Sequence, residues 1–191
     1  MVEYHPLEPF CPINAKVLML GSFPPPQKRW SMDFFYPNFQ NDMWRIISFI
    51  FTEKKDSFVD AENKTFKKEE IISCLNKHGI ALYDAAVSVI RLQDNASDKF
   101  LQIIEPSNIQ KIIDEMLPQC YTIVSTGQKS TEILSSEFKF QIPRMGDSIE
   151  FTIGDRHFKF YRMPSTSRAY PLSIEKKAEF YRTMFKEINV I

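Results

Sequence analysis

The chain has 191 residues, 43% of them hydrophobic and 25% charged, with 24 basic side chains set against 24 acidic ones. This suits a single soluble globular domain with a sizeable core, and no apolar run approaches the roughly 18 residues that a membrane-spanning helix needs. Three scattered cysteines (Cys11, Cys74 and Cys120) form no CxxC pair, which argues against a zinc or iron–sulfur site and for a reducing, cytoplasmic setting.

Residues 1–15 read as an extended lead-in. Pro6, Pro9 and Pro12 discourage helix, and no basic segment runs into an apolar one as it does in a secretory signal. A strand follows at 16–21, its apolar run Val17–Leu20 suited to burial on both faces. The loop over 22–40 carries Pro24-Pro25-Pro26 and an aromatic patch of Trp30, Phe34, Phe35, Tyr36 and Phe39. Loops of this length are usually functional or disordered, and the aromatic content argues against disorder. Asn41 is a good N-cap for a helix reaching about Phe51, with Met43, Ile46, Ile47 and Ile50 on one face.

Residues 53–66 are polar and read as a surface loop. Thr65 or Phe66 opens a helix to Lys77, with Gly79 as its stop signal. A second buried strand, Ile80–Tyr83, ends at Asp84, and residues 91–100 form a polar loop. Beyond Pro106-Ser107 a helix spans about 108–117, with Ile109, Ile112, Ile113 and Met116 at helical spacing. Tyr121–Val124 is a third strand and Lys129–Ser135 a helix. Ser148–Ile153 and Arg156–Arg162 alternate around Gly154-Asp155 as a hairpin near the C-terminus. A last helix over 173–188 starts from Ser173 as N-cap. Strands alternating with helices predict one three-layer α/β/α domain over 1–191 with a mostly parallel sheet.

The charge is balanced in total but uneven along the chain. From Lys16 to Arg45 the basic residues Lys16, Lys28, Arg29 and Arg45 face only Asp33 and Asp42, and the segment from Arg144 to Lys186 is also basic. The stretch from Glu53 to Glu115 is acidic in compensation. Phosphate binding needs a local positive patch, not a positive total, and the two basic segments supply one if they meet in space. A solvated mixed-charge surface is the plainer reading of the same pattern.

Two loops that follow strand ends stand out, Gly21–Trp44 and Met163–Leu172. Each has a structural explanation of its own: a stiff polyproline II segment, a helix cap at Asn41, and a hydroxyl-rich turn at Ser165-Thr166-Ser167. The first loop has no GxxxxGK[ST] phosphate cradle, which speaks against a nucleotide triphosphatase. Together, however, the loops form a pattern. Gly21-Ser22-Phe23-Pro24, Tyr36-Pro37 and Asn41-Asp42-Met43-Trp44-Arg45-Ile46 resemble motif one of the uracil-DNA glycosylase superfamily, most closely its hypoxanthine-DNA glycosylase branch. Gly79-Ile80-Ala81-Leu82-Tyr83-Asp84 is similar to the G-I-A-L-W-D of that branch. Arg91, Asp98 and Pro106-Ser107-Asn108-Ile109 fall where it has R, S-x-D and P-N-D. Pro164-Ser165-Thr166-Ser167 resembles the P-S-T-S of its second motif, with Ser173, Glu175 and Lys176 at the start of the next helix. The matches are collinear over about residues 12–185.

The resemblance implies a four-stranded parallel sheet between helices, with a damaged base bound at the strands' carboxyl ends. It implies hydrolysis of an N-glycosidic bond that releases uracil or hypoxanthine from a flipped nucleotide, with no cofactor and no metal. The implied partner is DNA carrying a damaged base, with no membrane, bound by a monomer. By the same resemblance Asn41 positions the attacking water, Tyr36 or Phe35 stacks on the base, and backbone groups of Ser22 and Phe23 line the pocket. Asp84 reads the base, a strand-end carboxylate capping a turn being the alternative. Ser165, Thr166, Ser167 and Arg168 grip phosphates and wedge into the duplex.

The sequence departs from that pattern at Phe23, where other branches carry a catalytic Asp or Asn, at Pro25-Pro26 in place of a Gly, and in the spacing of Pro37 to Asn41. It departs again at Thr126 in place of an Asn, and at Arg168 and Tyr170 in place of a Pro and a His. Two other functions therefore stand beside the first: an inactive nucleic-acid-binding module of the same fold, and a small-molecule or nucleoside hydrolase using the same crevice. None of His5, His78 and His157 is identified as an acid.

Overall fold

The computed structural model describes residues 1–93 and 97–191. Its strands and helices in chain order are β1 Val2–Tyr4, β2 Val17–Gly21, α1 Met43–Thr52, β3 Val59–Asp60, β4 Thr65–Phe66, α2 Lys68–His78, β5 Ile80–Asp84 and β6 Ala86–Arg91. There follow β7 Leu101–Pro106, α3 Ile109–Met116, β8 Thr122–Ser125, α4 Gln128–Phe138, β9 Ser148–Ile153, β10 Arg156–Arg162 and α5 Ile174–Glu187.

The continuous apolar runs form the centre. β2, β5 and β8 are buried at every residue, as strands covered on both faces must be. They lie in the order β5-β2-β8-β10-β9, with β5, β2, β8 and β10 parallel and β9 antiparallel to β10 at the edge. The sheet thus has five strands where four were expected. Gly154, at a φ of 56°, turns the chain straight back between β9 and β10, so β9 extends the same sheet outward. Its alternating half-buried and exposed residues fit an edge strand with one wet face.

A second sheet was not anticipated. β1, β6 and β7 pair antiparallel in the order β1-β6-β7. The lead-in is therefore partly a strand, and the loop expected over 91–100 is bounded by β6 and β7, with residues 94–96 lying outside the described residues. Phe23, Ala86, Val89 and Leu101 form a small apolar cluster beside the main core.

Two helix starts also differ from expectation. α2 begins at Lys68 because Thr65 and Phe66 are taken up by pairing with Val59 and Asp60. In α1 the N-cap is Asp42, whose backbone is already helical and whose side chain makes no cap bond. Asn41, one residue earlier, accepts the Met43 N–H at 2.9 Å instead. The last helix is as its sequence suggests: the Ser173 hydroxyl accepts from the Lys176 N–H. α5 then packs on α1, and that contact positions the site.

Candidate active site

The parallel strands all deliver their carboxyl ends to one cleft of about 720 Å³, lined by Gly21, Asp84, Thr126 and Met163 and by the loops beyond them. From β2 the chain crosses first to β5 on one side and later to β8 on the other. The order reverses there, and open α/β sheets bind ligands outside such a reversal.

The two loops singled out in the sequence both line this cleft and are joined to each other. Asn41 and Ser167 make an antiparallel bridge, and the Asp42 N–H donates to the Thr166 carbonyl at 2.8 Å. Beneath that seam Asp42 and Lys177 are both almost fully buried and pair at 2.9 Å. The Lys177 ammonium also donates to the Ser167 carbonyl at 2.8 Å. Arg168, half exposed, reaches the other Asp42 oxygen at 3.2 Å. One buried carboxylate thus joins α1, the second loop and α5.

All the candidate residues line this cleft, in different settings. Asn41 is half-buried; one lone pair of its carbonyl takes the Met43 N–H, and among the described residues no partner engages its amide nitrogen. Phe35 is 3% exposed and packs edge-on against Phe34 and Tyr83, so little of its ring is open to a ligand. Tyr36 is half-buried and adopts a left-handed φ of 49°, unusual for an aromatic residue. Its hydroxyl shares a 2.8 Å hydrogen bond with Thr126. Burial, then Asp84, push the Tyr36 phenol far above its ordinary pKa, so it stays a neutral hydroxyl.

Thr166 is 2% exposed and serves the seam through its carbonyl, which leaves Ser165, Ser167 and Arg168 as the donors at the surface of this wall. Phe23 is buried, its ring against His5 and the small apolar cluster. The Ser22 hydroxyl donates to Asp98 at 2.6 Å.

The floor includes groups the sequence reading did not select. The Nε2 of His5 lies 2.9 Å from Asp84 Oδ2. A carboxylate only accepts, so Nε2 carries a hydrogen, while Nδ1 lies 2.8 Å from the Leu7 carbonyl and 3.1 Å from the Leu7 amide nitrogen. The ring is wedged among Phe23, Phe35 and Tyr83. Asp84 Oδ1 sits over Gly21, only 2.2 Å from where a Cβ at that position would be. Asp98 adds a second carboxyl: burial pushes its pKa up, Asp84 adds to the rise, and the Ser22 hydroxyl, Arg91 and Lys129 oppose it. Ser22 and Asp84 were already marked by their positions at strand ends, and Asp98 by its motif match alone. Nothing local marks His5, which sits 79 residues from its partner.

The arrangement supplies a closed end with two carboxyls and a neutral phenol, an amide at the seam, and hydroxyls with a cation at the lip. No protein-family model and no curated protein matches the sequence. Among solved structures, the chain is similar over 99% of both chains, at 17% identity and a TM-score of 0.66, to a solution NMR structure from Methanosarcina acetivorans described as a "putative Uracil DNA glycosylase". At that identity the likeness establishes a shared fold: a mixed α/β domain around a mostly parallel five-stranded sheet.

Proposed function

We propose that this chain is a monofunctional DNA glycosylase that hydrolyses the N-glycosidic bond of a deaminated base, uracil or hypoxanthine, held in the cleft as a flipped nucleotide. The observation that carries the reading is the seam: Asn41 of one loop lies against Ser167 of the other at the mouth of a cleft on the carboxyl edge of the sheet. The likeness in fold to a structure named for the same activity supports it.

The chemistry follows from the residues. A base inside a duplex is out of reach, and extruding it costs a few kcal/mol of unstacking. Uracil and hypoxanthine each present a ring N–H where cytosine and adenine present a lone pair. Asp84, with one oxygen held by His5, offers the other as an acceptor for that N–H. Cytosine or adenine, the undeaminated parents, would set a lone pair against the carboxylate. Tyr36 supplies an aromatic face beside it. Asn41 orients the water: an amide is too weak a base to remove a proton, so its contribution is position. As the bond between C1′ and the base nitrogen breaks, the electron pair leaves with the base and positive charge grows on the sugar, which negative charge nearby favours; the water oxygen then bonds to C1′ and the proton it sheds neutralises the departed base.

The test is base release from oligonucleotides carrying a single uracil or inosine, with alkali cleavage of the resulting abasic site. Product from either lesion and none from the unmodified strand is expected. Absence of product with DNA binding intact would instead support the inactive module, which the burial of Phe23 at the usual catalytic position favours.

A further inference from the structure

The closed end of the cleft holds two carboxyls in opposite settings. Asp84, at the end of β5, lies over Gly21 and accepts the His5 Nε2 hydrogen on Oδ2. Asp98, in the 3-10 turn before β7, accepts the Ser22 hydroxyl on Oδ2 at 2.6 Å. Both line the cleft, anchored at consecutive residues, and among the described residues no hydrogen-bond donor engages Oδ1 of either. β1 carries His5 into place: its pairing with β6 continues through the His5 N–H, which donates to the Val87 carbonyl at 2.8 Å. An N–H aimed at Asp84 suits a carboxylate, which only accepts. Asp98 is in a different position. Burial first, then Asp84, favour its neutral acid, while Ser22 after β2, Arg91 from β6 and Lys129 from α4 oppose them. The Tyr36 phenol also faces it and carries no charge, and Lys99 of its own turn lies over the Phe100 ring. A proton held at this end of the cleft therefore belongs on Asp98.

We infer that Asp98 presents a carboxyl hydrogen to a ring carbonyl of the bound base while Asp84, fixed by His5, accepts the neighbouring ring N–H, so that Asp98 and His5 tell a deaminated base from its parent. This deepens the glycosylase reading and rests on it for the identity of the base. Uracil and hypoxanthine carry a carbonyl beside a ring N–H. Cytosine and adenine carry the inverse, an amino group beside a ring lone pair. A protonated carboxyl donates and an ionised one only accepts, so the pair meets the deaminated edge with two hydrogen bonds. The parental edge sets hydrogen against hydrogen and lone pair against carboxylate. Moving the proton from Asp98 to Asp84 would invert the pair and admit the parent, and the His5 hydrogen bond opposes that move. His5 is thus a positioning residue that acts through Asp84. Thymine and guanine share the deaminated edge, so the pair separates a base from its parent and not from these two.

The experiment titrates the full chain with free uracil, cytosine, hypoxanthine and adenine, following the amide NMR signals of Gly21 and Ser22. Uracil should bind at least about tenfold more tightly than cytosine, and hypoxanthine than adenine, because each parent leaves buried polar groups unpaired. His5→Phe fills the space among the same rings but gives Asp84 no hydrogen, and should erase the preference. His5→Gln restores an N–H and should recover it. The wild-type preference should fade as pH rises and Asp98 ionises, whereas Asp98→Asn, whose amide keeps a donor, should hold a preference that pH does not change. No binding of uracil and hypoxanthine, equal affinity for base and parent, or the same loss in His5→Phe and His5→Gln overturns the inference. If His5→Phe fails to fold, the pH comparison decides alone, and an identical profile in Asp98→Asn overturns it. A preference for the deaminated bases with no base released from DNA upholds the pair and sinks the glycosylase; release from uracil DNA with base and parent bound equally does the reverse.

Discussion

The two walls of the cleft are held by different forces. The first is an extension of the core: Phe34 stacks on Trp44 with ring centres 5.9 Å apart, Trp44 is fully buried, and its indole N–H donates to the Phe35 carbonyl at 3.0 Å. The second is tied by polar contacts: Lys177 to the Ser167 carbonyl, the Tyr181 hydroxyl to the Pro164 carbonyl at 3.0 Å, and the Asp42 N–H to the Thr166 carbonyl. A packed wall loses little when one atom is removed. A wall tied through a buried ion pair loses much more when either charge goes, because the survivor stays away from water with its closest counter-charge gone.

That contrast can be broken most severely at Lys177. Lys177→Met keeps the volume but leaves the buried Asp42 only its pair with the half-exposed Arg168, and should cost about 3 kcal/mol in urea unfolding. Lys55→Met, which removes an exposed pair with Glu175, should barely move the midpoint. Similar losses from both would show that burial of the clamp does not matter.

Next in size is the amide at the seam. Asn41→Ala should lower base release at least about a hundredfold, equivalent to about 2.7 kcal/mol in the barrier, and cost about 1 kcal/mol of stability through the freed Met43 N–H. Asn41→Asp keeps an acceptor for that N–H and so separates the two roles. A slow but stable Asp variant marks positioning of the water, and wild-type rates in either reduce Asn41 to a cap.

The smallest expected effect is at Asp98. Its carboxyl is raised in the folded state, so the folded chain binds its proton more tightly than the unfolded one. Stability is then lost as pH rises from the unfolded value through the raised one. Asp98→Asn should raise the melting temperature at pH 7 and leave it unchanged at pH 3. A gain of equal size at both would mean that the carboxyl's charge is not what burial penalises.

Three of the parallel strands, β2, β5 and β8, were legible because burial on both faces forces an unbroken apolar run such as Val17–Leu20 or Ile80–Tyr83. The antiparallel sheet was not. β6 begins one residue after β5, with only Ala85 between them and no turn residue to mark the change of sheet, while β7 is mostly exposed and carries no clear alternation. β1 has three residues, too few to show a period. The walls could be named from their motifs, but the charges that join them could not. Asp42 and Lys177 are 135 residues apart, and nothing in either neighbourhood distinguishes a buried lysine from a solvated one on an amphipathic helix. The same holds for His5, brought to Asp84 by a strand pairing that only the tertiary structure reveals.

The bare backbone at Gly21 has an evolutionary corollary. Because the Asp84 carboxylate occupies the space a methyl group would need, positions 21 and 84 cannot vary independently. In descendants or designed variants of this sequence, any larger residue at 21 must displace the Asp84 carboxylate, by a shorter side chain at 84 or by turning it away from His5, and so alters how the floor meets whatever the cleft receives.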